Sequence, residues 1–286
     1  CKACQDAKLI RAAHGAGRDP GPPPKKVGQQ ITADHLVLGS AKSHGFDGAK
    51  DTVVVYDRGT TWKEMYPVKS KSAEETYQSL LHFAGPEATI KSIHSDNSQE
   101  LRKSIRWLRW CHRRSIPGIS QTNAVAERQI RDILAGTRTL LRQAGLPACW
   151  WPLACRAYCF GTNTKWSADK PSAYARRFPD EGELKLKQFI PFGSKVQFLP
   201  SPVADEDHQQ PKFGPTSISG ILLGSRMHPG GRWKGEFEVA SIEDFTDIDL
   251  AIDAKATQIR KIRIHTVKEV SIHDEGLTFP RLKEYR

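Results

Sequence analysis

The chain of 286 residues shows three spacings of hydrophobic and polar positions. Gln29–Leu38 (QQITADHLVL) alternates as a strand does, and Thr52–Asp57 (TVVVYD) is a β-branched run of the kind that fills a buried strand. Arg58-Gly59 makes a tight turn, and Thr61–Lys69 returns as a third strand, so the three predict an antiparallel meander. Ser72–Ala84 opens with a Ser cap and acidic residues, the signature of a helix N-terminus. Thr89–Ser95 is a fourth short strand. Asn123–Ala144 has the clearest helical period, with Ile130, Ile133, Leu134, Thr137, Leu140, Leu141 and Ala144 forming a stripe that Gly145-Leu146-Pro147 ends. Cys149–Asn163 reads as a core helix rich in aromatic residues, in which Cys155 and Cys159 are packing residues rather than metal ligands. After Lys170-Pro171 the texture changes to short β-rich runs at Lys195–Leu199, Ile218–Leu223, Glu236–Val239 and Ile262–Val267. Strands, helix, strand and two long helices predict an α/β fold with a mixed sheet flanked by helices, followed by a smaller β-rich C-terminal module.

Gly15–Lys26 (GAGRDPGPPPKK) is a semi-rigid Pro/Gly linker, which divides the chain into 1–28, a core over 29–165, and 166–286 for the β-rich module and polar tail. The chain starts at Cys1 and reads as a piece of something longer. No apolar stretch approaches the ~20 residues of a bilayer span, so no membrane partner is expected. Six cysteines at irregular spacing do not make a disulfide framework, and a reducing compartment is expected.

Charge narrows the partner. Lys+Arg number 43 against 32 Asp+Glu, a net +11. Residues 1–28 carry six basic and two acidic side chains, residues 100–145 ten and three, and residues 201–286 twelve and fourteen. The positive field therefore sits on the front of the chain, and a polyanion is the partner it suits. Arg102, Lys103, Arg106, Arg109, Arg113 and Arg114, interleaved with Trp107 and Trp110, form a second candidate DNA surface, in which the aromatics could equally be core. Arg128 and Arg131 start the long helix, where helix amides and arginines suit a phosphate backbone.

Three carboxylates occupy telling places. Asp34 interrupts the first strand, Asp96 ends the fourth (IHSDN), and Glu127 lies in the first turn of the long helix (QTNAVAER). A charge at a core strand is costly unless it is paired or binds a metal. Two strand carboxylates and a helix carboxylate can converge, and such oxygen-rich sites suit Mg²⁺ with room left for water and phosphate. Paired ions of this kind serve phosphoryl transfer. The histidines show no metal-ligand pattern, and no GxSxG element supports a serine hydrolase.

HSDN (94–97), QTNAVAER (121–128), LPACWWPLACRAYCFGTNTK (146–165) and KFGPTSISGILLGS (212–225) together resemble the integrase of copia-type LTR retrotransposons, over most of residues 1–235. The sequence departs from that family's pattern at Ser98, Gln99 and Ala124, where the family usually has glycine near these motifs, and the 30-residue gap between Asp96 and Glu127 is short for it. The resemblance implies a ribonuclease-H-like core whose DDE triad is Asp34, Asp96 and Glu127. These would hold Mg²⁺ (or Mn²⁺), with Asp34 bridging two ions and Asp96 and Glu127 each holding one. It places Asn97, Gln121, Asn123, Arg128 and Arg131 against DNA. The opening CKAC resembles half of a zinc module, so Cys1 and Cys4 would bind Zn²⁺ only with residues upstream.

The implied activity is Mg²⁺-dependent 3′-end processing and strand transfer on double-stranded DNA. A homo-oligomer acting in the nucleus after a cytoplasmic particle stage is expected. Two alternatives stand beside it: a decayed or domesticated copy that only binds DNA, and a related Mg²⁺-dependent nuclease.

Overall fold

The computed structural model describes residues 23–115, 124–184, 189–200, 213–246, 248, 262–272 and 276–282. The meander forms as expected, with β1 Ile31–Val37, β2 Asp51–Asp57 and β3 Lys63–Val68. Helix α1, Ala73–Ala84, follows, and the Ser72 hydroxyl accepts the Glu75 N–H at 3.1 Å as its cap. Then come β4 Ser92–Ser95, α2 Gln99–Leu108, β5 Cys111–Arg114, α3 Ala124–Ala144, α4 Trp151–Thr164 and the short α5 Ala173–Arg177. The sheet order is β3-β2-β1-β4-β5. The first three strands are antiparallel, and β4 and β5 join in parallel. Three antiparallel strands extended by two parallel ones, with helices on both faces, is the ribonuclease-H-like arrangement.

Alternation sorts the side chains between the two faces. Ile31, Ala33, Val53, Val55 and Ile93 face one way, onto Leu80 and Phe83 of α1 and Leu101 and Ile105 of α2. Leu36, Val54 and Met65 face the other way, onto Ile130 and Ile133 of α3 and Cys155 and Cys159 of α4. Both cysteines are packing residues, as expected, and burial pushes the Cys155 thiol up to about 12. Gly136 lets the two helices close, since a Cβ there would stand 2.0 Å from the Tyr158 ring.

The free edge of β3 is covered by α4. The Asn163 side chain, 1% exposed, accepts the Lys63 N–H at 3.1 Å and donates to the Lys63 carbonyl at 2.8 Å. One amide side chain thus mimics a neighbouring strand and protects an edge that would otherwise pair with another chain. Asn163→Leu should cost about 3 kcal/mol by leaving two buried backbone groups unpaired. A denaturant midpoint shift reads this loss, and an unchanged midpoint refutes the edge-cap role.

The second sheet is β6 Lys195–Phe198, β7 Ile218–His228, β8 Arg232–Ser241, β9 His265–Val267 and β10 Val270–Ser271, in the order β10-β6-β7-β8-β9. It is antiparallel throughout. Ile221, Leu223 and Ala240 of this sheet share a core with Leu146, Trp150, Leu153 and Ala154. α5 belongs with the first sheet, because Tyr174 and Phe178 pack on Trp62. No helix among the described residues is long and apolar enough to cross a membrane.

Candidate active site

Asp34 pairs in register with Val54, and Val54 with Met65. Residues paired across strands share a face, so Asp34 lies on the side of the sheet that α3 and α4 cover. β1 and β4 pair as Ile31↔Ile93 and Thr32↔His94. Continuing that register two residues sets Asp34 beside Asp96, just past the end of β4. His94 and Asp96 alternate onto the same face as Thr32 and Asp34. The continued register therefore brings Asp34, in the middle of β1, toward Asp96, just past the end of β4.

Asp96 also shapes its own loop. Its Oδ1 accepts the Ser98 N–H at 3.0 Å, and Asn97 Nδ2 donates to the Ser115 carbonyl at 3.0 Å, tying the ends of β4 and β5 together. Asp34 Oδ1 accepts the His35 N–H at 2.8 Å. The His35 ring is held below its ordinary pKa by burial first and by Lys71 second, against the pull of Asp96, Glu100 and Asp51.

Glu127 sits in the first turn of α3, which packs across β1 and β2, and its side chain is exposed. Ala126, Ile130 and Ile133 lie on the buried side of the helix or next to it, so Glu127 borders the buried stripe. Arg128 and Arg131 are exposed on the same helix. Among the described residues no three His, Cys, Asp or Glu side chains stand close enough to hold a metal ion. The oxygen donors have the right chemistry for Mg²⁺, and the register gives two of them a common locus. The third, Glu127, lies at the start of a helix whose preceding residues, 116–123, lie outside those described. Gln121 and Asn123 fall in that segment, and Cys1 and Cys4 also lie outside the described residues.

Two competing acids have structural work. Asp132 bonds Lys63 Nζ at 2.5 Å and accepts the Tyr158 hydroxyl at 3.1 Å. The Lys63 side chain is 8% exposed and that of Asp132 44%. Asp132→Asn should therefore cost about 1–2 kcal/mol, a buried-pair loss reduced by the exposure of the acid. A thermal melt checks this, together with an unchanged rate in any metal-dependent assay. Asp57 is fully buried and organises the β2–β3 turn. It accepts Gly28 N–H at 3.2 Å, Gly59 N–H at 2.9 Å and the Thr60 hydroxyl at 2.9 Å.

From the sequence, 102–114 is a second candidate DNA surface with no elements assigned to it. The structure resolves it into α2 and β5. α2 buries Leu101, Ser104 and Ile105 and turns Arg102, Lys103, Arg106 and Trp107 outward. The spacing of Leu101, Ile105 and Leu108 was the available signal for this helix.

No protein-family model matches the chain. The chain is similar to the retrovirus-related Pol polyprotein from transposon TNT 1-94 of Nicotiana tabacum, with 26% identity over 197 residues. The match covers 66% of this chain and 14% of the polyprotein, so the chain spans a small part of that relative's length. This similarity supports a retrotransposon Pol origin.

Proposed function

We propose that the chain is the catalytic core and following β-rich module of a retrotransposon integrase, a Mg²⁺-dependent polynucleotidyl transferase acting on double-stranded DNA. The observation that supports this reading is the register of β1 and β4, Ile31↔Ile93 and Thr32↔His94, which, continued two residues, would bring Asp34 and Asp96 together on the face crossed by the Glu127 helix. The similarity to a retrotransposon Pol polyprotein supports the same origin.

In this reading Asp34, Asp96 and Glu127 would together hold the metal. Mg²⁺ supplies charge neutralisation at the reacting phosphate and activation of the attacking oxygen. The chain's own residues position the substrate. Arg128 and Arg131, with Asn97, Gln121 and Asn123, hold phosphate oxygens so that the attacking hydroxyl lies in line with the leaving oxygen. Water attacks first, freeing a 3′-hydroxyl at the element's end. That hydroxyl then attacks a target phosphodiester, forming one P–O bond as another breaks, with no covalent bond to the protein. Action as a homo-oligomer in the nucleus, after a cytoplasmic particle stage, belongs to this proposal. So does a zinc site completed by residues upstream of Cys1 and Cys4.

A second reading, a copy that binds DNA without catalysis, draws on the finding that among the described residues no three His, Cys, Asp or Glu side chains stand close enough to hold a metal ion. Strand transfer with preprocessed duplex ends separates the two. With Mg²⁺ or Mn²⁺ the wild type should join ends to target, and Asp96→Asn should not. A wild type inert with both metals favours the DNA-binding copy, and an active Asp96→Asn variant refutes the site.

A further inference from the structure

α2 and β5 present a row of cations that the carboxylate site does not use. Arg102 and Arg106 stand one turn apart on the outer face of α2, and Arg109 ends it in a left-handed conformation at φ 57°. β5 is the edge strand of the sheet, and both Arg113 and Arg114 on it are exposed. Its register with β4, His94↔Arg113 and Ser95↔Arg114, sends these two arginines to opposite faces. Arg113 shares the face of His94, Asp96 and Asp34, whereas Arg114 shares the α2 face. The row thus turns around the edge of the sheet, from the carboxylate face to the outer surface of α2.

Among the described residues no carboxylate lies within ion-pair distance of these five arginines, whereas the neighbouring Lys103 has Glu74 at 3.5 Å. A row of like charges left without counter-charges fits a polyanion better than it fits the fold.

We propose that this row is a second DNA-binding surface, which carries the backbone of a duplex around the β5 edge to the carboxylate site. It rests on the integrase reading and is distinct from the arginines of α3. A duplex suits it better than a single strand. Single-strand surfaces stack bases on open aromatic faces. The exposed aromatic here, Trp107, is already engaged, with Lys103 Nζ 4.8 Å from its ring centroid and Tyr77 packed edge-on. What remains accessible is guanidinium, which bonds phosphate oxygens and reads no bases.

The test is a salt series of binding titrations on the full chain with a labelled 30-base-pair duplex and, in parallel, oligo-uridine. Replacing Arg102, Arg106 and Arg113 together by Gln should flatten the log–log salt slope by about 2.7, near 0.9 per lost phosphate contact. At 0.1 M salt the affinity should fall roughly 100-fold or more. The same three positions changed to Lys should keep the slope. Lys234→Gln on β8 with Lys268→Gln, just after β9, should leave it unchanged. If the triple Gln variant melts early, the single substitutions Arg102→Gln and Arg113→Gln should each shift the slope by about 0.9. A slope unmoved by the Gln substitutions overturns the proposal, and oligo-uridine bound as tightly as the duplex overturns the choice of duplex. Failure here is separable from failure of the integrase reading. Loss of strand transfer in Asp96→Asn, with an unmoved slope in the arginine variants, would remove the second surface and keep the enzyme.

Discussion

Glu127→Gln is expected to lower strand transfer by about a thousandfold or more while leaving folding and DNA affinity close to wild type. Glu127 is exposed in the first turn of α3, so its replacement by an amide of the same shape removes no buried contact. What it removes is a negative charge that the proposed metal site requires, since a neutral amide neutralises no cation. Arg128 and Arg131 remain to hold phosphate, and loss of carboxylate–phosphate repulsion favours binding slightly. Asp169→Asn, at an exposed acid far along the chain, is the control and should retain full activity. Product formation on preprocessed ends is read beside a binding titration and a thermal melt. Wild-type turnover in the Gln variant would remove Glu127 from the site.

Asp57→Ala should be the most destabilising of these substitutions, at about 3–4 kcal/mol. Its carboxylate is fully buried and accepts from Gly28, Gly59 and Thr60. Removing it strands three donors in the β2–β3 turn, each costing about 1–3 kcal/mol in isolation, with water recovering part. The turn is already constrained. A Cβ on Gly59 would stand 2.2 Å from the Lys26 carbonyl oxygen, and Thr61 holds φ at 62°. A chain of this size should melt about 6–16 °C lower. Asp57→Asn keeps one acceptor oxygen and should lose less. Equal melting of the Ala variant and the wild type would show that water replaces the carboxylate without cost.

The meander, α1, α3 and α4 were legible because each has a strong local signal. Val53–Val55 are β-branched in succession, Ser72 caps α1, and Ile130, Ile133, Thr137 and Leu141 keep the period of α3. β5 was not legible. Its four residues, Cys-His-Arg-Arg, have no apolar alternation, and they form a strand because β4 offers a parallel edge. α5 is five residues long, too short for a period, and exists through Tyr174 and the buried Arg177, which donates to the Phe83 and Gly230 carbonyls. For the candidate site, the motifs pointed to Asp96 and Glu127 and the strand pattern to Asp34. No sequence pattern carries the β1–β4 register that sets the two Asp residues side by side, because parallel pairing joins strands 50 or more residues apart. The partners of Asp57 and Asp132 were not legible, since Gly28, Lys63 and Tyr158 come from other elements.

Asp34, Asp96 and Glu127 are proposed to share one metal site. Anomalous diffraction from crystals of the full chain grown with duplex DNA ends and Mn²⁺ tests it most directly. A peak is expected about 2.0–2.3 Å from oxygens of both Asp34 and Asp96, with Glu127 at the same locus. Mn²⁺ absent from both aspartates, under conditions in which the same preparation performs strand transfer, would contradict it.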